Sequence, residues 1–307
     1  MSPDSLDEAL ARIRDDREHG AAQLAEAGLR LIGRVCGERA RAGADTLLAD
    51  AATLVGRIAA LRPSMASPGN WAATYYAALR ERLANPGTDP AEACDKVLAD
   101  LLARQAALRD ALVAAARPVL AAARGVLTLS YSSTIEAVLA EAIAPDCLVV
   151  VAESRPLLEG RKLCGRLEAA GRRVRCITDA QIGLALADLD TVLIGADAVL
   201  ADLAVVNKAG SLLAALAARE RGTRCHVAAD TFKIDPRATA AEATLEEMDG
   251  GEVWPERAEI CTNVYFETVR ADLIGLYLTE KGALTAPEML GEVDAWRALW
   301  RTPGLAA

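Results

Sequence analysis

The chain has 307 residues, 52% of them apolar, with 34 Lys and Arg against 43 Asp and Glu for a net charge of −9. That apolar content supports a sizeable core and excludes both disorder and a disulfide-stapled miniature fold. The negative balance repels phosphate backbones and anionic lipid, so neither nucleic acid nor a membrane is an expected partner.

No run approaches the roughly 18 consecutive apolar residues of a membrane-spanning helix. The N-terminus carries acidic residues where a signal peptide would be basic and then apolar, so a cytoplasmic protein is expected. In residues 1–122, apolar residues recur at helical spacing, first Leu6, Leu10 and Ile13, then Leu24, Leu29, Leu31, Ile32 and Val35. Breaks are expected at Gly43, at Arg62-Pro63, and across Pro86-Gly87-Thr88-Asp89-Pro90. This stretch reads as a helical N-terminal domain.

From 123 to 307 the pattern changes to short β-rich runs: Val126–Leu129, Cys147–Val151, Val174–Ile177, Thr191–Ile194 and Cys225–Ala228. Helix-length segments such as Thr134–Ala144, Gly160–Ala170 and Ser211–Arg221 separate them. The alternation predicts an α/β domain with a Rossmann-like, doubly wound, mostly parallel sheet. Ligands bind such sheets beyond the carboxyl ends of the strands, so the residues just after each run are the informative ones.

Those positions are polar. Ser130-Tyr131-Ser132-Ser133-Thr134 follows the first run and opens a helix, where backbone N–H groups and the helix dipole suit a phosphate, although an ordinary N-cap reads the same way. Glu153-Ser154-Arg155-Pro156 follows the second run; its arginine can fork onto a phosphate or simply pair with a carboxylate. Gly195-Ala196-Asp197 follows the fourth, with Asn207-Lys208 ten residues after the aspartate, offering an acid, an amide and an ammonium to one pocket. Asp230-Thr231-Phe232-Lys233 follows the fifth. Each cluster alone has a capping explanation, but four in one sheet are hard to explain by capping.

The seven cysteines are scattered without a C-x-x-C pair, and the two histidines, His19 and His226, lie far apart in sequence. No metal and no cofactor is therefore expected. Cys225 and Cys261 have no activating cation nearby in sequence, so neither is favoured as a nucleophile. Trp296 and Trp300, four residues apart, read as closing the last helix onto the core or a partner. The acidic run 242–252 reads as a solvated loop or helix.

Taken together, Gly195–Val199, Val206–Ser211 and Val227–Lys233 resemble the signature of the alpha, beta and delta regulatory subunits of eukaryotic translation initiation factor two-B. That family also contains methylthioribose-1-phosphate isomerase and ribose-1,5-bisphosphate isomerase. Thr128–Thr134, Glu153–Pro156 with Gly160, Asn263–Glu267 and Thr279–Gly282 match as well, as do Asp16–Ala21 and Arg62-Pro63-Ser64 more loosely. The resemblance spans roughly residues 10–290. It implies a helical domain followed by a Rossmann-like domain through which two subunits form a homodimer, and a ligand that is a phosphorylated sugar or nucleotide.

Carried over residue by residue, the resemblance implies a catalytic role for Asp197 and a sugar- or phosphate-binding role for Arg62, Asn207, Lys208 and Lys233, with Ser132 and Ser133 at the helix start. Glu153 and Arg155 are implied to line the same cavity. Two positions depart from the isomerase pattern. The reactive cysteine is replaced by Ser130, preceded by Leu129 rather than histidine, and a hydroxyl is a far weaker acid than a thiol. The Arg-Gly-Ala loop that holds phosphate becomes His19-Gly20-Ala21, exchanging a bidentate cation for an imidazole. The expected function is a phosphorylated-ligand-binding, regulatory protein. An aldose-phosphate isomerase working through Asp197 and Ser130 without the thiol, and a non-catalytic subunit-interaction module, are the alternatives.

Overall fold

The computed structural model describes residues 5–16 and 19–305, so Arg17 and Glu18 of the loosely matched segment 16–21 lie outside the described residues. The N-terminal part consists of α1 (Leu6–Asp15), α2 (Ala21–Arg39), α3 (Ala44–Ala59), α4 (Ser67–Leu83) and α5 (Pro90–Leu120). Local chemistry sets their ends. Ser5 and Glu8 form a reciprocal capping box on α1, and Asp89 caps α5 directly before Pro90. The expected breaks at Gly43 and Arg62-Pro63 fall between these helices, as does that at 86–90 up to Asp89, Pro90 being the first residue of α5.

The chain continues through β1 (Gly125–Leu129), α6 (Ser133–Glu141), β2 (Leu148–Ala152), α7 (Glu159–Ala169), β3 (Arg173–Ile177), a short α8 (Ile182–Ala185) and β4 (Thr191–Ile194). Next come β5 (Ala198–Leu200), β6 (Val205–Lys208), α9 (Ser211–Glu220), β7 (Arg224–Ala228) and β8 (Ile234–Asp235). The remainder is β9 (Phe266–Val269), β10 (Leu276–Thr279), β11 (Gly282–Leu284) and α10 (Ala286–Trp300). All five expected strands form. They are parallel neighbours in a seven-stranded sheet of order β11-β10-β7-β4-β1-β2-β3, whose edge strand β11 alone pairs antiparallel.

A second sheet has no counterpart in the expected pattern. It has four strands in the order β8-β5-β6-β9, with β5 and β6 joined as an antiparallel hairpin. This hairpin positions the site: it brings Ala198 opposite Val206, and the Asp197 N–H donates to the Val206 carbonyl at 2.8 Å. Asp197 and Asn207 are neighbours because of that turn, not because of a strand–helix crossover.

α5 ends at Leu120 and β1 begins at Gly125, yet the parts on either side share one continuous apolar core running from α2, α3 and α4 to both sheets and α10. Trp71 of α4 stacks on Phe232 with ring centres 3.7 Å apart, and Trp296 of α10 packs edge-on against the same ring. Trp300 donates from Nε1 to Asn70 Oδ1 at 2.8 Å, so both tryptophans close α10 onto the core. No helix among the described residues is long and apolar enough to cross a membrane.

Candidate functional site

A cavity of about 130 Å³ lies between the helical part and the carboxyl ends of β1 and β4. Two helix N-termini open onto it: Gly20 to Gln23 at the start of α2, and Ser132 to Ile135 at the start of α6, where Ser132 Oγ accepts from the Ile135 N–H. The first turns of these helices leave N–H groups without intrahelical partners and carry the positive end of the dipole. Leu157, Met65, Tyr265 and Phe266 supply apolar wall.

Of the residues singled out from sequence, Ser130, Ser132, Ser133, Asp197, Asn207, Lys208, Lys233, Arg62, His19, Gly20 and Ala21 all line this cavity. Glu153 and Arg155 do not. Glu153 accepts two hydrogen bonds from Arg161, and Arg155 donates from a terminal guanidinium nitrogen to the Val253 carbonyl at 2.9 Å. These partners hold the segment after β2 to its own surroundings, and the strand-end rule misleads there because the turn carries both side chains elsewhere.

Asp197 is an acid of the cavity wall. Burial pushes its carboxyl above the ordinary carboxylate range; Lys233 and Lys208 pull the other way, Glu159 adds to the rise and Arg62 opposes it. Lys233 is 5% exposed, and its Nζ donates to the Ala196 carbonyl at 2.6 Å. The Lys233 turn is itself capped by Asp230, and Glu280 accepts from the Thr231 N–H at 2.9 Å. Asn207 donates to Ser211 Oγ at 2.7 Å, and Ser211 in turn donates to the Lys208 carbonyl. Glu267 of β9 accepts from the N–H groups of Gly210 and Leu212 at 2.6 and 2.8 Å, fixing the turn that follows Lys208.

Ser130 is 6% exposed and has φ +61°, a left-handed conformation that a residue with a Cβ adopts at a cost. Its Oγ donates to Glu159 Oε2 at 3.1 Å, and the same oxygen lies 2.7 Å from Lys208 Nζ. Glu159 was missed from sequence. Its only signal is the glycine that follows it, because a Cβ at Gly160 would lie 2.0 Å from the Ala152 carbonyl oxygen. Lys208 Nζ also lies 4.5 Å from the centre of the Tyr265 ring.

Arg62 is 6% exposed and donates to the Asp16 carbonyl at 2.9 Å. Its Nε is buried without a hydrogen-bond partner; the nearest carboxylate contact is Glu246 Oε2 at 3.7 Å. His19 Nδ1 sits 2.8 Å from Asp16 Oδ2. The acidic run 242–252 is thus not a purely solvated loop: Glu246 also accepts from Ser64, and Glu252 accepts from Asn263 and the Tyr265 hydroxyl. Cys225 and Cys261 are not among the cavity-lining residues, and burial pushes the Cys225 thiol up to about 12.

Residues 17–286 match the initiation factor 2 subunit family. A translation initiation factor eIF-2B subunit 2-like protein of Pyrococcus abyssi is 30% identical over 290 residues, covering 94% of this chain and 99% of that protein. The ribose 1,5-bisphosphate isomerase of Archaeoglobus fulgidus is 36% identical over 146 residues, 46% of each chain. In three dimensions the fold matches the crystal structure of the Pyrococcus horikoshii translation initiation factor eIF-2B with a TM-score of 0.77, at 27% identity over 94% of this chain and 99% of that one. The expected family and fold class are thereby borne out: the chain belongs to the initiation factor 2 subunit family.

Proposed function

We propose that the cavity binds a phosphorylated sugar or a nucleoside monophosphate, with its phosphate between the N-termini of α2 and α6, and that the chain acts as a ligand-binding, regulatory member of its family. The observation that carries this reading is Arg62. A buried guanidinium whose Nε lacks a hydrogen-bond partner stands in the wall of a cavity onto which two helix N-termini open. Buried donors are nearly always satisfied, and an anionic oxygen is the partner this one suits best. The similarity to a ribose 1,5-bisphosphate isomerase supports a sugar as the body of the ligand. Ser130 in place of a thiol supports binding over turnover. The reading includes self-association through the C-terminal part, checked by the mass in solution.

The test is a panel of aldose 1-phosphates, ribose 1,5-bisphosphate and nucleoside monophosphates, followed by thermal shift and by phosphorus NMR. A raised melting temperature without a new resonance is expected, since a ligand bound only by the folded state stabilises it by mass action. No shift with any compound would sink the reading.

A second reading, an aldose-phosphate isomerase, is favoured by Asp197. The reaction breaks the bond from carbon 1 to the ring oxygen, moves a hydrogen with its electron pair from carbon 2 to carbon 1, and passes the proton of the carbon-2 hydroxyl to the freed ring oxygen, the carbon-1 oxygen keeping its phosphate. A carboxyl held above the usual range by burial suits that proton exchange. Under this reading Asp197→Ala abolishes appearance of ketose phosphate while binding survives, because removing the carboxylate also removes its repulsion of the phosphate. Unchanged turnover in that variant would remove Asp197 from the chemistry.

A further inference from the structure

The two lysines of the cavity already face carboxylates, and Arg62, whose Nε makes no hydrogen bond, is left for the first phosphate. Lys208 Nζ is 2.7 Å from Glu159 Oε2, Arg62 Nε is 3.7 Å from Glu246 Oε2, and Lys233 lies beside Asp197 strongly enough to pull on its titration. Apart from His19, the charged side chains of the lining among the described residues are Arg62, Lys208 and Lys233 against Asp16, Glu159 and Asp197. The positive potential left over comes from the two helix N-termini, about half an elementary charge each. Together with Arg62 that offsets one phosphate, about −1.5 to −2. A second phosphate brings a further charge of about −1.5 to −2 and would meet Lys208 with Glu159 already on it.

The backbone beneath Glu159 is fixed. It is the first residue of α7, and the next residue, Gly160, is pressed so closely on the end of β2 that a Cβ there would lie 2.0 Å from the Ala152 carbonyl oxygen. The backbone that carries the carboxylate is therefore seated, and the Ser130 hydroxyl donates to the same oxygen that meets Lys208. Resting on the reading of this cavity as a phosphorylated-ligand site, we propose that Glu159 is its specificity-determining residue. The carboxylate occupies Lys208, a cation that a second phosphate would use, and so restricts the cavity to monophosphorylated ligands.

Isothermal titration of the full chain with ribose 5-phosphate and ribose 1,5-bisphosphate tests this, using wild type, Glu159→Gln, Glu159→Ala and, as a control for charge on the same helix, Glu168→Gln at an exposed position. Wild type and Glu168→Gln bind the monophosphate more tightly. Glu159→Gln strengthens bisphosphate binding by about tenfold, since it replaces a like charge by an isosteric amide, and changes monophosphate binding by no more than about threefold. A purely structural role for Glu159 would lower the melting temperature and weaken both ligands in parallel, which overturns the proposal. So does a wild type that prefers the bisphosphate, whatever the variants do. If the monophosphate binds but the ratio of affinities does not move, only the role of Glu159 falls; if neither ligand binds any of the proteins, the reading of the cavity falls with it.

Discussion

Lys208 Nζ lies between the Glu159 carboxylate at 2.7 Å and the Tyr265 ring, 4.5 Å from its centre. Removing one partner of such a half-enclosed pair leaves the other charge exposed to the ligand, so single and double changes do not add. Lys208→Ala weakens monophosphate binding by about tenfold, because it leaves Glu159 uncompensated in an anion site. Adding Glu159→Gln to it restores most of the loss. Titration calorimetry on the four proteins of this cycle measures the coupling; equal losses in the single and double variants would show that the two side chains do not interact through the ligand site. At this scale Asp197, Lys233 and Ser130 were legible because each follows an apolar run of the parallel sheet, and Asn207 and Lys208 because they stand just before a helix start, although they lie on β6 of the second sheet. Glu159 follows no run. Its place depends on the six-residue path from Ala152 round to α7, with Ser154 and Leu158 both at positive φ, and in the residue order only Gly160 hints at that geometry.

α7 depends on Gly160 for its seat. A Cβ there would meet the Ala152 carbonyl oxygen at 2.0 Å and the Glu153 Cα at 2.9 Å, both backbone atoms that no rotamer change can move aside. Gly160→Ala therefore lowers stability by roughly 1–3 kcal/mol or more, against the few tenths to 1 kcal/mol that alanine otherwise gains within a helix. Urea unfolding reads this directly, and an unmoved midpoint would mean that α7 lifts from β2 without cost. The five long strands were legible because Val, Ile, Leu and Cys cluster in runs bounded by polar turns. The second sheet was not, for β5 and β8 span only three and two residues, and β5 and β6 are joined by a tight turn with no helix-length segment between them. The hairpin that joins Asp197 to Asn207 belongs to that sheet, so the sequence pattern could place both residues near one site without showing how they meet.

Helical part, sheets and C-terminal helix are held together by groups that no local pattern predicts. Asn70 of α4, fully buried, donates to the carbonyls of Phe232 and Ile234, both at 2.7 Å, and accepts from Trp300 Nε1 at 2.8 Å. Asn70→Ala leaves two carbonyls and an indole N–H without partners in the core, at about 1 kcal/mol or more each, so a loss of roughly 3 kcal/mol is expected in chemical denaturation. A loss under about 1 kcal/mol would mean that water replaces all three bonds. His226 sets a second global property, the response to acid. It sits on β7 at 3% exposure, opposite Leu193 and Leu276, with Nδ1 buried and unpartnered. Burial first, and the charge of Arg224 second, lower its pKa to about 4 from an ordinary 6.5. Between those values the unfolded chain binds a proton that the folded chain refuses, so this contribution is complete above pH 6.5 and is lost as pH falls towards 4. Acidifying from pH 7.5 to 5 should cost roughly 2 kcal/mol through this residue. Asp197 and Asp230, whose carboxyls are raised by burial, also act on the pH dependence, but they are common to wild type and a His226→Gln variant and cancel in the difference. The gap between the two stability curves should therefore shift by that amount over this range; curves that stay parallel from pH 7.5 to 5 would show that the imidazole takes up its proton inside the fold.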